Sequence, residues 1–157
     1  MSPSGLWGLV AGLGTAFYLL ALYSLEPELY IQPVILYSTW LIFLLCMVVA
    51  LLISQSQMSL GFRDALRIAF TTYIIGNLVY YVFDYAMLTY WAPELVGMME
   101  EEFRAAAASG LLESMQKEAK NIDFSPSISH YLLTFAQSLI VGFVVSAILA
   151  LLFKNKS

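Results

Sequence analysis

The residue with the clearest chemical potential is Asp84, an acid inside the apolar stretch 78–88. It precedes Trp91 by seven residues. If Trp91 marks a membrane interface, as aromatic residues often do, Asp84 lies about 10 Å inside the bilayer at about 1.5 Å per helical residue. A carboxylate at that depth is costly, so it must face the protein interior and be either protonated or paired.

The spacing of other polar residues predicts partners for Asp84. Asn77 lies one heptad earlier, and Gln137 and Tyr18 lie at the matching depth on the last and first apolar stretches. His130 shares a helical face with Gln137. We therefore predict a buried layer of Tyr18, Asp84 and Gln137, capped by His130.

Two interpretations of this layer are open. The favoured one is interhelical hydrogen bonding that fixes helix register, at about 0.6 kcal/mol per bond on average in membranes. The functional one is a site for a proton or a small cation, or a pocket for a lipid headgroup. One carboxylate and one histidine are few for an ion pathway, which is why the first is favoured.

Small residues form a second pattern. Gly8 and Gly12 make a GxxxG motif, and a stripe repeats at every fourth position of the last apolar stretch: Ser138, Gly142, Ser146 and Ala150. Such stripes let helix backbones approach closely in lipid. The favoured interpretation is that the first helix packs against the last within one chain. The alternative is an interface with a second copy or a partner.

Composition excludes several classes of function. The chain is 61% hydrophobic and only 11% charged, far from the average for soluble domains. A net charge of −4 with seven basic residues argues against nucleic acid as a partner. Cys46 is the sole cysteine, which rules out an intrachain disulfide. No zinc, phosphate-loop or nucleophile–histidine motif occurs, so we predict a non-enzyme without metal or cofactor.

Four apolar stretches are long enough to cross a hydrocarbon core, which takes about 20 residues. The first lacks the basic flank and short apolar core of a signal peptide, so we expect it to be retained. The prediction is a single all-α membrane domain over 1–157 with transmembrane helices at about 5–25, 33–54, 65–91 and 131–153.

The segment 92–129 between the third and fourth stretches predicts a hairpin of two short amphipathic helices. Leu95, Met98, Met99 and Phe103 recur at helical spacing, Gly110 interrupts, and a second run follows. Their apolar faces should be buried at the mouth of the bundle or at the lipid interface, with a protein partner as the alternative.

Basic residues predict the orientation. Arg63, Arg67, Lys154 and Lys156 flank membrane ends on one side, and cytoplasmic loops carry an excess of Lys and Arg. Both termini are therefore predicted to be cytoplasmic and the hairpin extracytoplasmic.

Several stretches carry a family resemblance: Leu60-Gly61-Phe62-Arg63-Asp64-Ala65, Trp91-Ala92-Pro93, Ser109-Gly110 and the small-residue run from Val141-Gly142 to Lys154. In this order they resemble a bacterial four-helix membrane family known as domain of unknown function 4199. The resemblance implies a four-helix fold in the bacterial inner membrane, and it implies no activity and no site.

The function that these patterns favour is that of a non-enzymatic accessory or scaffold subunit of a membrane complex. It would contact the bilayer and either a membrane-protein partner or further copies of itself. One alternative is a small oligomeric transporter or ion-conducting protein using Asp84. Another is an accessory to a membrane enzyme of envelope or lipid-linked sugar metabolism.

Overall fold

A computed structural model describes residues 2–109 and 126–154. Those residues form six α-helices and no strand, and α4 continues into a π-helical turn at Met87–Trp91. The helices are α1 (Pro3–Leu25), α2 (Pro27–Ile31), α3 (Pro33–Gln57), α4 (Phe62–Ala86), α5 (Glu94–Ser109) and α6 (Ile128–Phe153).

Four of these helical segments are long and apolar enough to cross a membrane. They are Pro3–Leu25, Tyr37–Gln57, Phe62–Trp91 and Ile128–Phe153. Many of their large apolar side chains are exposed, for example Phe17 at 69% and Leu152 at 72%, as expected for faces that lipid solvates. The prediction of a four-helix, all-α, multi-pass membrane protein is confirmed at this level.

Prolines and serines set where the helices begin. Pro3, Pro27 and Pro33 occupy the first turns of α1, α2 and α3, where a missing N–H costs nothing. Ser127 caps α6 by accepting a hydrogen bond from the His130 backbone N–H at 3.2 Å. The segment 26–32, between the first two predicted transmembrane helices, contains the one-turn helix α2, which begins at Pro27 and is followed by Pro33.

The central element is α4, which packs against α1, α3 and α6. No contact joins α1 to α6 within the described residues. The predicted packing of the first helix against the last is therefore wrong. The small residues of α1 and those of α6 do allow close approach of helices, but both sets pack against α4.

The α1 stripe approaches α4 most closely at its two glycines. A Cβ placed on Gly8 would lie 2.9 Å from the Thr72 carbonyl oxygen, and one on Gly12 would lie 2.7 Å from that of Gly76. These distances leave no room for a side chain, so both positions must be glycine for the backbones to meet.

The α6 stripe packs against another part of α4. A Cβ on Gly142 would lie 2.7 Å from Cζ of Tyr73, so this glycine makes room for an aromatic ring. Ser146 and Ala150 are fully buried further along the same face. The phenol of Tyr73 reaches back along α6 and donates to the Ser138 carbonyl oxygen at 3.1 Å.

Two apolar cores divide the bundle along its length. One lies among α1, α3, α4 and α6 and includes Met47, Leu51 and Leu149. The other lies at the end of the bundle that carries α2, here called the α2 end. It includes Leu19, Met87 and Leu95.

The position of Leu95 shows that the apolar face of α5 packs on the α2 end, as predicted for the first helix of the hairpin. Gly110, predicted to separate the two helices, lies outside the described residues, as does Lys156. The predicted second helix lies outside them too, with Leu111, Leu112, Met115 and Ala119.

Substitution of Gly12 by alanine is expected to destabilise the protein by about 1–3 kcal/mol, the usual cost of overpacking. The matched control is Gly14→Ala on the same helix, where the nearest atom to an added Cβ is 3.9 Å away. Because alanine is the better helix former, the control should be neutral or gain up to about 1 kcal/mol. Unfolding of both variants in the same detergent checks this, and equal stabilities would contradict the close packing of α1 against α4 at Gly12.

Candidate functional site

Asp84 is hydrogen-bonded by two tyrosines from two other helices. The Tyr30 hydroxyl on α2 donates to Oδ1 at 2.6 Å, and the Tyr131 hydroxyl on α6 donates to Oδ2 at 2.7 Å. We call these three residues the Asp84 cluster. It joins α2, α4 and α6 at one point, and each carboxylate oxygen is used by a different neighbour.

Local sequence places each member of the Asp84 cluster. Tyr30 is carried by α2, whose direction is fixed between Pro27 and Pro33. Tyr131 lies in the first turn of α6, directly after the Ser127 cap. Asp84 lies in the last turn of α4, just before the π-helical segment that carries the chain toward Pro93.

Aromatic rings surround the Asp84 cluster. Tyr81 and Tyr85 on α4 pack edge-to-face on Tyr131, with ring centroids 6.1 and 5.3 Å apart. Tyr30 is almost completely buried. Burial, and then the nearby Asp84 carboxylate, raises the pKa of Tyr30 well above its ordinary value. Its hydroxyl therefore stays protonated and remains a hydrogen-bond donor.

A second polar link joins α4 to α6 two turns deeper. Asn77 Nδ2 donates to the Ser138 hydroxyl at 2.5 Å, and that hydroxyl donates to the Phe135 carbonyl oxygen at 2.7 Å. Asn77 is buried. Its partner belongs to the small-residue stripe, so this position of the stripe serves both close packing and hydrogen bonding.

The structure brings together only part of the predicted polar layer. Asp84 and Asn77 both lie on the α6-facing side of α4, as expected for one heptad. Gln137 and His130, however, are exposed on α6. The Tyr18 hydroxyl is 2.9 Å from the Ser38 hydroxyl on α3 and not at Asp84. The predicted layer therefore has the correct acid and the wrong partners.

Tyr30 and Tyr131 are the site residues that sequence reasoning missed. Tyr30 lies between the first two predicted transmembrane helices, and Tyr131 is the first residue of the last predicted helix. The available signal was their chemistry, because a phenol near the membrane interface is apolar along its body and offers one donor at its tip. An acid at that depth is well matched by such donors.

The α5 helix is attached to α1 at the same end of the bundle. The Tyr23 hydroxyl donates to Glu94 Oε1 at 2.8 Å, and this bond is the main cause that lowers the pKa of Glu94. Between α2 and α5 lies an open groove of about 380 Å³. Its polar lining includes Glu28, Glu101 and Glu102, and we call it the acidic groove.

The described residues contain no group of three or more His, Cys, Asp or Glu side chains close enough to hold a metal ion. Cys46, the sole cysteine of the chain, is buried in the apolar core among α1, α3, α4 and α6. Chemically, the Asp84 cluster can bind α2, α4 and α6 together through two short hydrogen bonds.

Comparison with known protein families gives one match, over residues 6–155. The matching family is described as "protein of unknown function (DUF4199)". The chain belongs to this family. Comparisons with curated proteins and with solved structures found no match.

Membership of DUF4199 covers nearly the whole chain, as the resemblance of its separate segments predicted. The family description names no activity. Any role for this DUF4199 chain must therefore be argued from its own residues, beginning with the Asp84 cluster.

Substitution of Tyr131 by phenylalanine is expected to lower stability by about 0.6–1.7 kcal/mol, the range found for hydrogen bonds between membrane helices. The phenyl ring keeps its packing against Tyr81 and Tyr85, so the loss isolates the hydrogen bond to Asp84. Tyr90→Phe is the control, because Tyr90 is 72% exposed. If the two variants unfold alike in detergent, the bond to Asp84 contributes nothing.

Proposed function

We propose that this protein is a non-enzymatic accessory or scaffold subunit of a complex in the bacterial inner membrane. The observation that carries the proposal is the Asp84 cluster. Both oxygens of the intramembrane acid accept hydrogen bonds from tyrosines of other helices. An acid used in this way holds a bundle together, whereas an ion-conducting role would need its oxygens to exchange partners during each cycle.

The same proposal accounts for α5 and its surroundings. The apolar face of α5 packs on the α2 end of the bundle, and further along the helix Glu101 and Glu102 are exposed and line the groove beside Met98. Together with Glu28 they give the acidic groove a negative charge. Rim charges of this kind select and orient a partner of opposite charge. A Lys- or Arg-bearing segment of a membrane-protein partner is the contact we propose.

The proposed orientation places α5 outside the cytoplasm. Arg63 and Arg67 lie at the end of the bundle opposite α5, as does Lys154 at the end of α6. The excess of basic residues at cytoplasmic membrane ends supports cytoplasmic termini. The segment after α4 would then lie on the extracytoplasmic side of the membrane.

Cysteine labelling tests this orientation. In a Cys46→Ser background, Glu102→Cys should react with a membrane-impermeant maleimide added to intact spheroplasts. Ser56→Cys, exposed at the other end of the bundle, should react only after lysis. The reverse pattern would place α5 in the cytoplasm and overturn the proposed localisation.

Mild-detergent capture with quantitative mass spectrometry tests the scaffold role. The wild-type chain should retain a membrane partner in a fixed ratio. The double substitution Glu101→Lys and Glu102→Lys should reduce that partner at least about tenfold, equivalent to about 1.4 kcal/mol. Glu26→Lys is the matched control, because Glu26 is exposed and is not among the residues that line the acidic groove.

Two results would contradict the proposal. One is the absence of any partner in a fixed ratio. The other is a partner retained equally by the wild type and the double variant, because the acidic groove would then have no part in assembly.

A further inference from the structure

A second groove opens sideways between α3 and α6. These two helices contact each other much less than either contacts α4, which forms the floor between them. The cavity measures about 190 Å³ and lies along segments that cross the membrane. At its mouth Tyr37 is 74% exposed and Trp40 is 39% exposed, so the groove opens toward lipid. We call it the α3–α6 groove.

Aromatic rings line one wall of the α3–α6 groove. Tyr73 on the floor packs against two rings of α3. Its ring centroid is 5.9 Å from that of Trp40, at 33° between planes, and 5.8 Å from that of Phe43. Flat apolar surfaces of this kind favour a planar ring that can stack in an offset or tilted geometry.

The remaining floor of the groove offers hydrogen-bonding groups without charge. Asn77, Tyr80 and Tyr81 of α4 line it, with Ser138 of α6 opposite. Asn77 already donates to Ser138, but the Tyr80 hydroxyl has no hydrogen-bond acceptor among the described residues. A hydroxyl at membrane depth is costly without an acceptor, because water is scarce there. The groove therefore presents a donor that needs an acceptor from elsewhere.

We propose that the α3–α6 groove binds the head group of an isoprenoid quinone. The planar ring would lie against the exposed rings of Trp40 and Tyr37, and one carbonyl oxygen would accept the hydrogen bond from Tyr80. No Lys or Arg lines the groove, so it lacks the cation that a phosphate headgroup would require. Its volume is below the roughly 300–1,000 Å³ of pockets for whole drug-sized ligands. It therefore suits one ring system, with the isoprenoid tail leaving toward the lipid.

This binding is independent of the scaffold role and involves no electron transfer. The ligand is bound as a lipid, and the groove lies between α3 and α6, whereas the acidic groove lies between α2 and α5. Failure of one proposal therefore leaves the other standing.

Tryptophan fluorescence in lipid nanodiscs provides the test. Trp40 becomes the sole reporter after Trp7→Phe and Trp91→Phe, and the probe is a 1,4-naphthoquinone carrying one isoprene unit. Quenching of Trp40 should saturate with probe concentration. Tyr80→Phe in the same background should raise the Kd about three- to tenfold, the effect of losing one hydrogen bond. Tyr90→Phe should leave the Kd unchanged.

Three results would overturn the proposal. A variant that retains only Trp7 reports quenching by probe that has simply partitioned into the bilayer. If quenching of Trp40 rises without saturation in the same way, the probe does not bind in the groove. Saturable quenching unaffected by Tyr80→Phe would remove the proposed acceptor bond. Displacement of the probe from the wild-type groove by oleate at equal concentration would mean that the groove holds acyl chains. This last measurement needs no substitution at Tyr80.

Discussion

The arrangement of the bundle depends on how closely α1 and α6 approach α4. Lipid is as apolar as a leucine side chain, so membrane helices gain little by hiding apolar surface from it. What remains is contact between backbones and small side chains, together with hydrogen bonds. Gly8 and Gly12 provide that contact on one side of α4, and Gly142 provides it around the Tyr73 ring on another. Because α1 and α6 both pack against α4, α3 packs beside α1 and α4.

The Asp84 cluster adds a fixed register to this packing. Close packing already limits sliding, because a one-turn slip of α6 would bring Ser138 or Ser146 to the Tyr73 ring, where there is no room for a Cβ at Gly142. A carboxylate with one donor on α2 and another on α6 fixes the register further, since the same slip of α6 would leave one Asp84 oxygen without its donor. The costly residue of the membrane interior therefore gives the bundle its specificity.

Much of the fold could be predicted because the controlling signals are local. Helix existence follows from runs of apolar residues, and the start of α3 follows from Pro33. Which helices are neighbours is a different kind of information. The stripes on α1 and α6 are equally suited to each other and to α4, and nothing within either stripe says which surface it meets. The predicted α1–α6 packing failed for that reason.

The candidate site was predictable only in its acid. Asp84 stands out because a charge in an apolar run is rare, whereas ten tyrosines offer many equivalent donors. Choosing Tyr30 and Tyr131 among them requires knowing that α2 turns inward and that α6 begins beside the end of α4. Matching depth along straight helices selected Gln137, which lies near the level of Asn77, about two turns deeper than Asp84, and faces outward. Depth alone cannot determine the rotation of a helix about its axis.

The central claim is that Gly8 and Gly12 of α1 pack against α4 of the same chain. Oxidative cross-linking in native membranes tests it most directly, in a Cys46→Ser background. Ala11→Cys paired with Gly76→Cys should form an intramolecular disulfide, because their Cβ positions are 3.1 Å apart and a small separation of the two helices brings them to the spacing of about 3.5–4.5 Å that a disulfide needs. Ala11→Cys paired with Ser146→Cys on α6 should not. An α1–α6 disulfide, or a covalent dimer through Ala11→Cys alone, would contradict the account.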